Sequence, residues 1–473
     1  MSNPPCKAIR FRRIGVISGE ERYDRGEAVL WSVPAGRRHS PEILLGGSSR
    51  RYDEGTANVS LRIAINAQLN PTAGAGGIQT VLVGLVHALG QLDGPEQYVL
   101  IAPWEEPDWL KPYLGNNQSI VRGPKLQAAK RILSPLTRLA KSVVRKMSRI
   151  FPRGEVRPRL GTSRAFYERL GCHVIHFPYQ HFVMSSIPSV FNPWDLQHIH
   201  YPQFFSPADL EWREATYGPA CRAANTVVVG SEWVKRDIVR HYQIQPEKIL
   251  VVRCPPPTCA YVEPDGPALN TVKEKYGLHE QFALYPAMTW EHKNHIRLLE
   301  ALALIRDRRG TRVNLVCTGK QTEFFPNIGR KMKELQLDGQ VRFLGMLPPA
   351  DLRAVYRLAQ FMVFPSLFEG AGVPLVEAWN EGTPVTCAAV TSIAEQAGDA
   401  ALLFDPASAD EIAKAVEKIA TDESLREALT RLGFQQLKNF NWETTAKAYR
   451  ALYRRIAGQP LTEEDQWILT GAQ

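Results

Sequence analysis

A run of small residues marks the stretch of this chain best suited to hold a phosphate. Residues 367–379 read LFEGAGVPLVEAW, so Gly370, Ala371 and Gly372 stand directly before Pro374, a residue suited to the first turn of a helix. A helix that begins behind small residues offers free amides and its positive dipole end to an anion, which can approach closely. The segment is therefore predicted to bind phosphate through its backbone.

Two carboxylates, Glu369 and Glu377, flank this segment eight positions apart. Because a carboxylate can accept hydrogen bonds from two neighbouring hydroxyls, one is predicted to hold a ribose and the other a hexose, with a diphosphate between them. The spacing alone is a weak signal, since 48 of 473 residues are acidic. The preceding strand, the small-residue turn and the proline strengthen it. The alternative is a glutamate that only favours the helix dipole.

A positive charge is predicted at the same sheet edge. Lys293 follows the strand predicted at 282–287, inside the sequence PAMTWEHKNHIRLLEAL, with His292 beside it. A lysine in that place can neutralise a diphosphate leaving group. The alternative is a solvated surface lysine. The shared edge with the Glu369 loop favours the functional interpretation.

These residues need a scaffold of alternating strands and helices. Strands are predicted at 61–66, 98–102, 173–177, 189–192 and 226–230, and then at 282–287, 313–319, 341–345, 361–366, 384–389 and 400–405. An apolar stripe from Ile78 to Leu89 has helical spacing. The pattern predicts an α/β chain with two doubly wound, Rossmann-like domains facing a cleft, whose ligands lie beyond the carboxyl ends of the strands.

Domain boundaries follow from breaks in this pattern. We predict a poorly ordered extension at 1–58, a first domain at 59–262 with a basic insertion at 122–169, and a linker at 263–278. A second domain at 279–440 and a closing helix and tail at 441–473, returning towards the first domain, complete the chain.

The net charge of +9 is concentrated in one segment. From Arg122 to Arg169 fourteen basic residues face two acidic ones, a local charge of +12. Apolar residues at roughly helical spacing favour either an amphipathic helix for an anionic membrane surface or a solvated helical insertion. Nucleic acid is disfavoured, because interleaved aromatics and a binding motif are missing.

Composition sets the remaining limits. Seven scattered cysteines without a CxxC pair argue against a disulfide framework and a zinc site, and predict small buried side chains. No apolar stretch is long enough for a membrane span or a signal core, which predicts a cytoplasmic protein, peripheral on the inner membrane face if the basic segment binds there. The loop with Gly74, Gly76 and Gly77 is not a dinucleotide fingerprint, because Gln79 replaces the last glycine; it could be only a tight turn.

From about Leu61 to Ile456 the chain resembles the family 4 retaining glycosyltransferases, which have the two-domain GT-B fold. The family pattern EGxGxPxxEA appears at 369–378, and VRFLGMLPPADLRAVY and FNWETTAKAYRALY also fit. The resemblance implies retention of configuration, no divalent metal and no cofactor beyond the nucleotide-diphosphate sugar. It implies catalytic roles for Lys293 and Glu369. It implies donor contacts from Gly76, Gly77, His292, Lys293, Glu369, Gly370, Ala371, Gly372, Val373 and Glu377.

The sequence also departs from the family pattern. Met288 replaces an arginine, so one phosphate contact must come from another residue, for which His292 and Lys320 are candidates. Ala371 replaces an aromatic, which predicts a wider donor pocket. A His-Asp pair of the first domain appears as Trp194-Asp195. The predicted acceptor-side residues are His176, Asp195 and His198, each of which could instead be a packing residue.

The predicted function is hexose transfer from a nucleotide-diphosphate sugar to a glycan or lipid-linked acceptor in cell-surface polysaccharide synthesis. A nucleotide-sugar epimerase on the same fold is the alternative, and it would not transfer the sugar to an acceptor. A nicotinamide-dependent oxidoreductase is disfavoured by the broken glycine fingerprint. A non-catalytic binding module is disfavoured by the two glutamates and the lysine.

Overall fold

The described part of the chain contains two parallel sheets that follow one another in sequence. The computed structural model describes residues 60–69, 77–124, 160–163 and 165–470, all within one compact unit. Every strand pair in both sheets is parallel, as in a chain that alternates strands with helices. The predicted α/β class with two Rossmann-like sheets is confirmed.

The first sheet has seven strands in the order β3-β2-β1-β5-β7-β8-β9. Its strands are β1 (Arg62–Asn66), β2 (Gln97–Ala102), β3 (Gln118–Arg122), β5 (Val174–Phe177), β7 (Ser189–Phe191), β8 (Thr226–Val229) and β9 (Ile249–Val251), and a separate pair is formed by β4 (Gly161–Thr162) and β6 (Val183–Met184). Strand β8 is buried along its whole length, as expected for a valine-rich strand covered on both faces.

The helices of this half are α1 (Gly77–Gly90), α2 (Phe166–Arg169), α3 (Gln197–His200), α4 (Pro207–Ala223) and α5 (Glu232–Tyr242). Helix α1 buries the predicted apolar stripe, including Val81, Leu85 and Leu89. Side chains of β1 alternate between two cores: Ile63 and Ile65 pack on the side of α1, and Ala64 packs on the other side.

The second sheet has six strands in the order β12-β11-β10-β13-β14-β15. They are β10 (Ala283–Pro286), β11 (Leu315–Thr318), β12 (Val341–Phe343), β13 (Phe361–Phe364), β14 (Val385–Ala388) and β15 (Leu402–Phe404). Strand β10 is central, because Ala283 pairs with Leu315 on one side and with Phe361 on the other.

The helices of the second half and the tail are α6 (Gly266–Tyr276), α7 (His295–Arg309), α8 (Phe325–Glu334), α9 (Pro349–Leu358), α10 (Val373–Asn380), α11 (Thr391–Ala397), α12 (Ala409–Thr421), α13 (Glu423–Leu437), α14 (Trp442–Ile456) and α15 (Glu463–Leu469). Helix α6 lies within the predicted linker and is tied to α9, since the Tyr276 hydroxyl and the Lys275 ammonium both donate to Asp351.

Helix α14 packs against α1 of the first half. Asn441 caps its first turn by accepting from the Thr444 amide at 3.1 Å. The Trp442 ring lies so close to α1 that a Cβ at Gly84 would stand 2.1 Å from it, so only glycine permits this approach. The chain therefore crosses back onto its first sheet after completing the second.

The cysteines that the structure describes have the predicted role. Buried and unpaired thiols are found at Cys172, Cys221, Cys254, Cys317 and Cys387. Burial raises the pKa of the Cys221 and Cys254 thiols to about 12, so these side chains remain neutral and inert.

Candidate active site

Lys293 and Glu369 meet at the point where the strand order of the second sheet reverses. Counted from β10, that order is 3-2-1-4-5-6, so the connections from β10 and β13 diverge and leave a crevice at their carboxyl ends. Lys293 follows β10, and Glu369 follows β13. The structure therefore brings the two predicted catalytic residues to the place where this fold class binds ligands.

The two side chains form an ion pair, in which the Lys293 ammonium donates to Glu369 Oε1. They are 17% and 14% exposed, so the pair is shielded but can be reached from the crevice. A partly buried pair of this kind is little screened by salt. The charge of Lys293 is thus balanced by the Glu369 carboxylate and remains accessible from the crevice.

Backbone and side-chain contacts fix the position of Lys293. The Tyr285 hydroxyl donates to the Lys293 carbonyl at 2.5 Å. Asn294 has a left-handed conformation, with φ of 62°, and its side-chain amide donates to the carbonyls of Pro365 at 3.0 Å and Pro406 at 2.9 Å. The loop after β10 is therefore fastened to the loops after β13 and β15. Tyr285 and Asn294 were not among the predicted site residues, since hydrogen bonds to distant carbonyls leave no local sequence signal.

The backbone of Glu369 is held by the start of α11. The Glu369 amide donates to Thr391 Oγ1 at 3.2 Å, and the Ser392 hydroxyl donates to the Glu369 carbonyl at 2.8 Å. Both peptide groups of the residue are thus anchored, and its side chain is left to face Lys293. Thr391 and Ser392 are further positioning residues that sequence reasoning missed.

The small-residue turn after Glu369 touches the first half of the chain. A Cβ at Gly370 would lie 2.6 Å from the Trp194 carbonyl oxygen and 2.9 Å from Asp195 Cβ. Ala371 is 7% exposed and lies against Gly230, so this side chain fills the contact between the halves. The structure thus gives Ala371 a packing position, where the sequence had predicted a wider donor pocket.

Helix α10 begins directly behind this turn. Gly372 has φ of 49° and precedes the first helical residue, Val373. This left-handed backbone conformation favours glycine, since a residue with a Cβ is strained there. The helix start, the ion pair and the crevice are adjacent, which is the arrangement that an anionic group with attached hydroxyls requires.

Glu377 lies inside α10 and is partly buried. Burial raises the pKa of its carboxyl to about 7; the Tyr356 hydroxyl, which donates to it at 2.8 Å, opposes this rise, and Glu381 adds to it. A carboxyl with a pKa near neutrality exchanges its proton readily. When ionised, it can accept hydrogen bonds from ligand hydroxyls as well as from Tyr356.

His292 is placed beside the ion pair but remains uncharged. Burial, with the charge of Lys293 as a smaller cause, holds the pKa of its imidazole well below the ordinary value. Its ring lies 6.4 Å from that of Phe204, and its carbonyl accepts from the Leu367 amide at 2.8 Å. It can therefore offer a phosphate a hydrogen bond but cannot replace the charge of the missing arginine.

In the first half, the predicted acceptor-side histidines lie in packed surroundings. His176 is fully buried, with Nε2 bonded to Asn192 Oδ1 at 2.7 Å and Nδ1 bonded to the Tyr453 hydroxyl at 2.8 Å. Burial lowers the pKa of His176 to about 4, so the ring is neutral. One ring nitrogen joins β5 to α14 and the other joins β5 to the residue after β7, which gives His176 a structural position.

His198 is also buried, and its Nε2 lies 3.2 Å from the Tyr242 hydroxyl. It lines a pocket of about 630 Å³ together with Glu214, Arg222 and His241. Asp195, by contrast, lies against Gly370, and burial raises the pKa of its carboxyl, while the hydrogen bond from the Gln197 amide and then the charge of Arg213 oppose the rise. Of the three predicted acceptor-side residues, only Asp195 reaches the donor loop.

The first sheet has a strand-order reversal of its own, between β1 and β5. There the Tyr179 hydroxyl donates to Asn66 Oδ1 at 3.2 Å, and Asn66 Nδ2 lies 3.2 Å from His181 Nδ1. Sequence reasoning missed this polar group. Gly77, the first residue of α1, is exposed, and Gly76 lies outside the described residues.

A second contact joins the halves at the start of α5. The Glu395 carboxylate of α11 accepts from the amides of Glu232 at 2.8 Å and Trp233 at 2.7 Å. The Ser231 hydroxyl accepts from the next amide, that of Val234, at 3.2 Å. The first three amides of α5 are therefore all satisfied, two of them by a residue from the other half.

Solved structures show the same arrangement of two facing Rossmann-like halves. Sucrose-phosphate synthase from Thermosynechococcus elongatus superposes with a TM-score of 0.63 at 20% identity, covering 84% of this chain and 99% of that one. The Anabaena protein HepE in complex with UDP and glucose gives 0.58 at 15% identity, over 84% and 100%. The fold is that of the GT-B glycosyltransferases.

Sequence comparison relates the chain to particular glycosyltransferases of this fold. Residues 271–436, which include all six strands of the second sheet, match the model of the family Glycosyl transferases group 1. O-antigen chain mannosyltransferase B of Escherichia coli is 29% identical over 53% of this chain and 67% of its own length. The chain spans 27% to 67% of the length of the first three curated relatives it matches. The predicted enzyme class, a glycosyltransferase, is confirmed.

Proposed function

We propose that the chain transfers a hexose from a nucleotide-diphosphate sugar to a hydroxyl of a glycan or lipid-linked acceptor, with retention of configuration. The observation that carries the proposal is the Lys293–Glu369 ion pair at the strand-order reversal of the second sheet, beside the start of α10. A diphosphate needs the cation and the helix start, and a sugar needs the carboxylates. This crevice supplies both.

The ion pair suggests how the donor binds and how its leaving group is stabilised. A diphosphate entering between Lys293 and α10 competes with Glu369 for the lysine charge. Glu369 is then released to accept hydrogen bonds from the donor sugar. Lys293 stabilises the negative charge that develops on the leaving diphosphate, and the departing phosphate oxygen takes the proton of the acceptor hydroxyl. No side-chain nucleophile is used.

Ligand-induced stabilisation tests donor binding directly. UDP, GDP and ADP, and then their glucose and mannose conjugates, are screened by thermal shift, because a ligand of the native state raises the melting temperature. The matching nucleotide should raise it in the wild type and have little effect on Lys293→Ala. Transfer of labelled hexose to an acceptor, with the anomeric configuration read by NMR, separates transfer from epimerisation. If no nucleotide or nucleotide sugar shifts the melting temperature, the proposal fails.

Chelation tests the source of the positive charge. Since Lys293 and the start of α10 are proposed to neutralise the diphosphate, the transfer rate should remain within roughly two-fold of its untreated value in EDTA. The measurement is initial rate with and without chelator, followed by addition of magnesium or manganese. A strict requirement for either ion would refute this leaving-group chemistry.

For the acceptor, we propose a lipid-linked sugar or growing cell-surface glycan at the cytoplasmic face of a membrane. The proposal rests on the +12 charge of residues 122–169, since each cation near an anionic surface contributes about 1 kcal/mol. Residues 125–159 and Arg164 lie outside the described residues. Among the described residues, no helix has the length and hydrophobicity to cross a bilayer.

Co-sedimentation with liposomes of graded anionic content tests this surface. The variant changes Lys141, Arg145, Lys146 and Arg149 to Gln, and the control changes four exposed lysines of the second half to Gln, namely Lys333, Lys414, Lys418 and Lys438. Binding should fall in the variant, persist in the control and weaken as salt rises. Equal sedimentation of variant and wild type, or none by either, would favour an acceptor free in solution.

A further inference from the structure

Three side chains outside the donor crevice have the composition of a metal site. His200 ends α3, and Asp237 and His241 lie one turn apart on α5. His200 Nε2 is 2.9 Å from each carboxylate oxygen of Asp237, and His241 Nε2 is 3.3 Å from Oδ1. All three candidate ligand atoms lie within 4.8 Å of one another. We propose that this His200–Asp237–His241 cluster binds a divalent transition metal of the zinc class.

The chemistry of the cluster selects the ion. Two imidazoles and one carboxylate are ligands that zinc accepts, whereas magnesium and calcium prefer oxygen alone. Zinc bonds of ~2.0–2.1 Å in a tetrahedron place ligand atoms ~3.3 Å apart. The histidine nitrogens lie 2.9 and 3.3 Å from the carboxylate, close to this separation, and within 4.8 Å of each other. Three protein ligands leave a fourth position for water.

Burial and charge also suit an ion. The Asp237 side chain is 5% exposed, and its ion pairs within the described residues are with the two histidines. The histidines are 29% and 28% exposed, and His241 also lines the pocket of about 630 Å³ next to His198. An ion can therefore reach the cluster, and a nearly buried carboxylate lies behind it. Coordination requires that the two Nε2 atoms facing Asp237 carry no proton.

The location indicates what the ion does. The His200 ring lies 5.2 Å from that of Phe368 and 5.5 Å from that of Trp233, measured between centroids. The next residue, Tyr201, directs its hydroxyl at the Leu367 carbonyl, 3.4 Å away. A metal that fastens His200 to α5 thus fixes the surface of the first half that contacts the residues just before Glu369. The ion acts on structure and takes no part in the sugar transfer.

Metal titration of the full chain tests the proposal. Protein stripped with a chelator and dialysed is titrated with Zn²⁺ by calorimetry, with Mg²⁺ as the comparison ion. We expect one equivalent of Zn²⁺ to bind and to raise the melting temperature, with no effect from Mg²⁺. Asp237→Asn and His241→Gln should each weaken Zn²⁺ binding at least ~10-fold. His279→Gln is the matched control, because within the described ranges the carboxylate facing His279 is that of Glu274, 3.8 Å away, and its removal should change nothing.

Two further measurements distinguish loss of metal binding from loss of folding. Circular dichroism of the variants confirms folding, and Co²⁺ absorption of the wild type reports the ligand field if a variant does not fold. The proposal is overturned if the wild type binds no Zn²⁺ or shows no Co²⁺ bands. It is also overturned if Asp237→Asn binds Zn²⁺ as tightly as the wild type. Donor binding and transfer are measured separately, so loss of the metal site would leave the proposed transferase function standing.

Discussion

The sheets of the two halves share the strand order 3-2-1-4-5-6, to which the first sheet adds a seventh strand, but the two halves use the ends of their strands differently. In the second half, the strand-order reversal presents Lys293 and Glu369, an ion pair of which 17% and 14% remains exposed. In the first half, the histidine at the end of β5, His176, is fully buried and bonded through both ring nitrogens. A shared fold therefore does not make equivalent positions equally reactive.

The difference shows what kind of sequence evidence locates a site. Glu369 was identified within a complete context of strand, small-residue turn, proline and second glutamate, and the structure places it beside Lys293. His176 was proposed as a lone histidine near a strand end, and such a residue can serve packing equally well. The comparison can be tested by removing charged groups from one half and packed groups from the other.

The largest expected effect is that of Lys293→Ala. Losing the cation from the diphosphate site should lower kcat about 10²–10³-fold, because the leaving group develops its charge there. The protein should stay folded, because Lys293 lies outside the hydrophobic cores, and leaving Glu369 unpaired should lower the free energy of unfolding by about 1–3 kcal/mol. Steady-state kinetics and urea unfolding measure the two effects. Lys414→Ala is the control, because it also breaks an ion pair but at an exposed position. Near-normal turnover in Lys293→Ala would contradict the view that the charged residues of the second half form the active site.

The next effect concerns pH and Glu377. Its pKa of about 7 means that the carboxyl is protonated below neutrality and ionised above it. If the ionised form accepts donor hydroxyls, the donor dissociation constant should rise as pH falls below 7, approaching ~10-fold per unit. Calorimetric titration from pH 5.5 to 8 measures this, and Glu377→Gln should bind more weakly with a flat profile. An unchanged slope in Glu377→Gln would assign the dependence to another group.

Glu377 should also affect stability in a defined direction. Because its folded-state pKa is raised above the ordinary 4.5, ionisation in the folded protein is unfavourable, and the cost appears as pH rises from 4.5 to 7. Glu377→Gln should therefore stabilise the protein at pH 8 by about 3 kcal/mol and have little effect at pH 4.5. The same unfolding measurements at both values check the sign.

The smallest effect on catalysis is expected for His176→Gln. The ring bridges Asn192 and Tyr453, so its replacement should lower the free energy of unfolding by about 1–3 kcal/mol. Turnover of the folded fraction should stay within roughly two-fold of the wild type. The reverse outcome, normal stability with lost activity, would place His176 in the acceptor site and make the two halves alike.

Strand positions were largely predictable from sequence, and the exceptions have a physical cause. Each of the eleven predicted strands lies within two residues of an observed one at both ends. The strands missed in the first sheet, β3 and β9, are its two edges, and both contain partly exposed residues. Strand β3 has only Ile120 and Val121 as apolar residues, which is too short a pattern to predict a strand. Strand β9 lies in the apolar run 249–252, ILVV, so a local signal for this strand was present in the sequence.

The candidate site was also predictable only in part. The charged residues could be found, because their motif is local. Tyr285, Asn294, Thr391 and Ser392, which fix those residues in place, act through backbone groups brought together only by folding. The His200–Asp237–His241 cluster was also missed, since one ligand stands 37 positions before the next.

The Glu395 carboxylate that satisfies two amides of α5 has a consequence for the motion of the two halves. Separating them there leaves a helix start without its side-chain acceptor, at a cost of about 0.5–2 kcal/mol. At equilibrium this makes the separated form about 2- to 30-fold rarer than it would be without the carboxylate. Glu395 thereby stabilises the contact between the halves, and replacing it with the shorter aspartate would raise the population of the separated form.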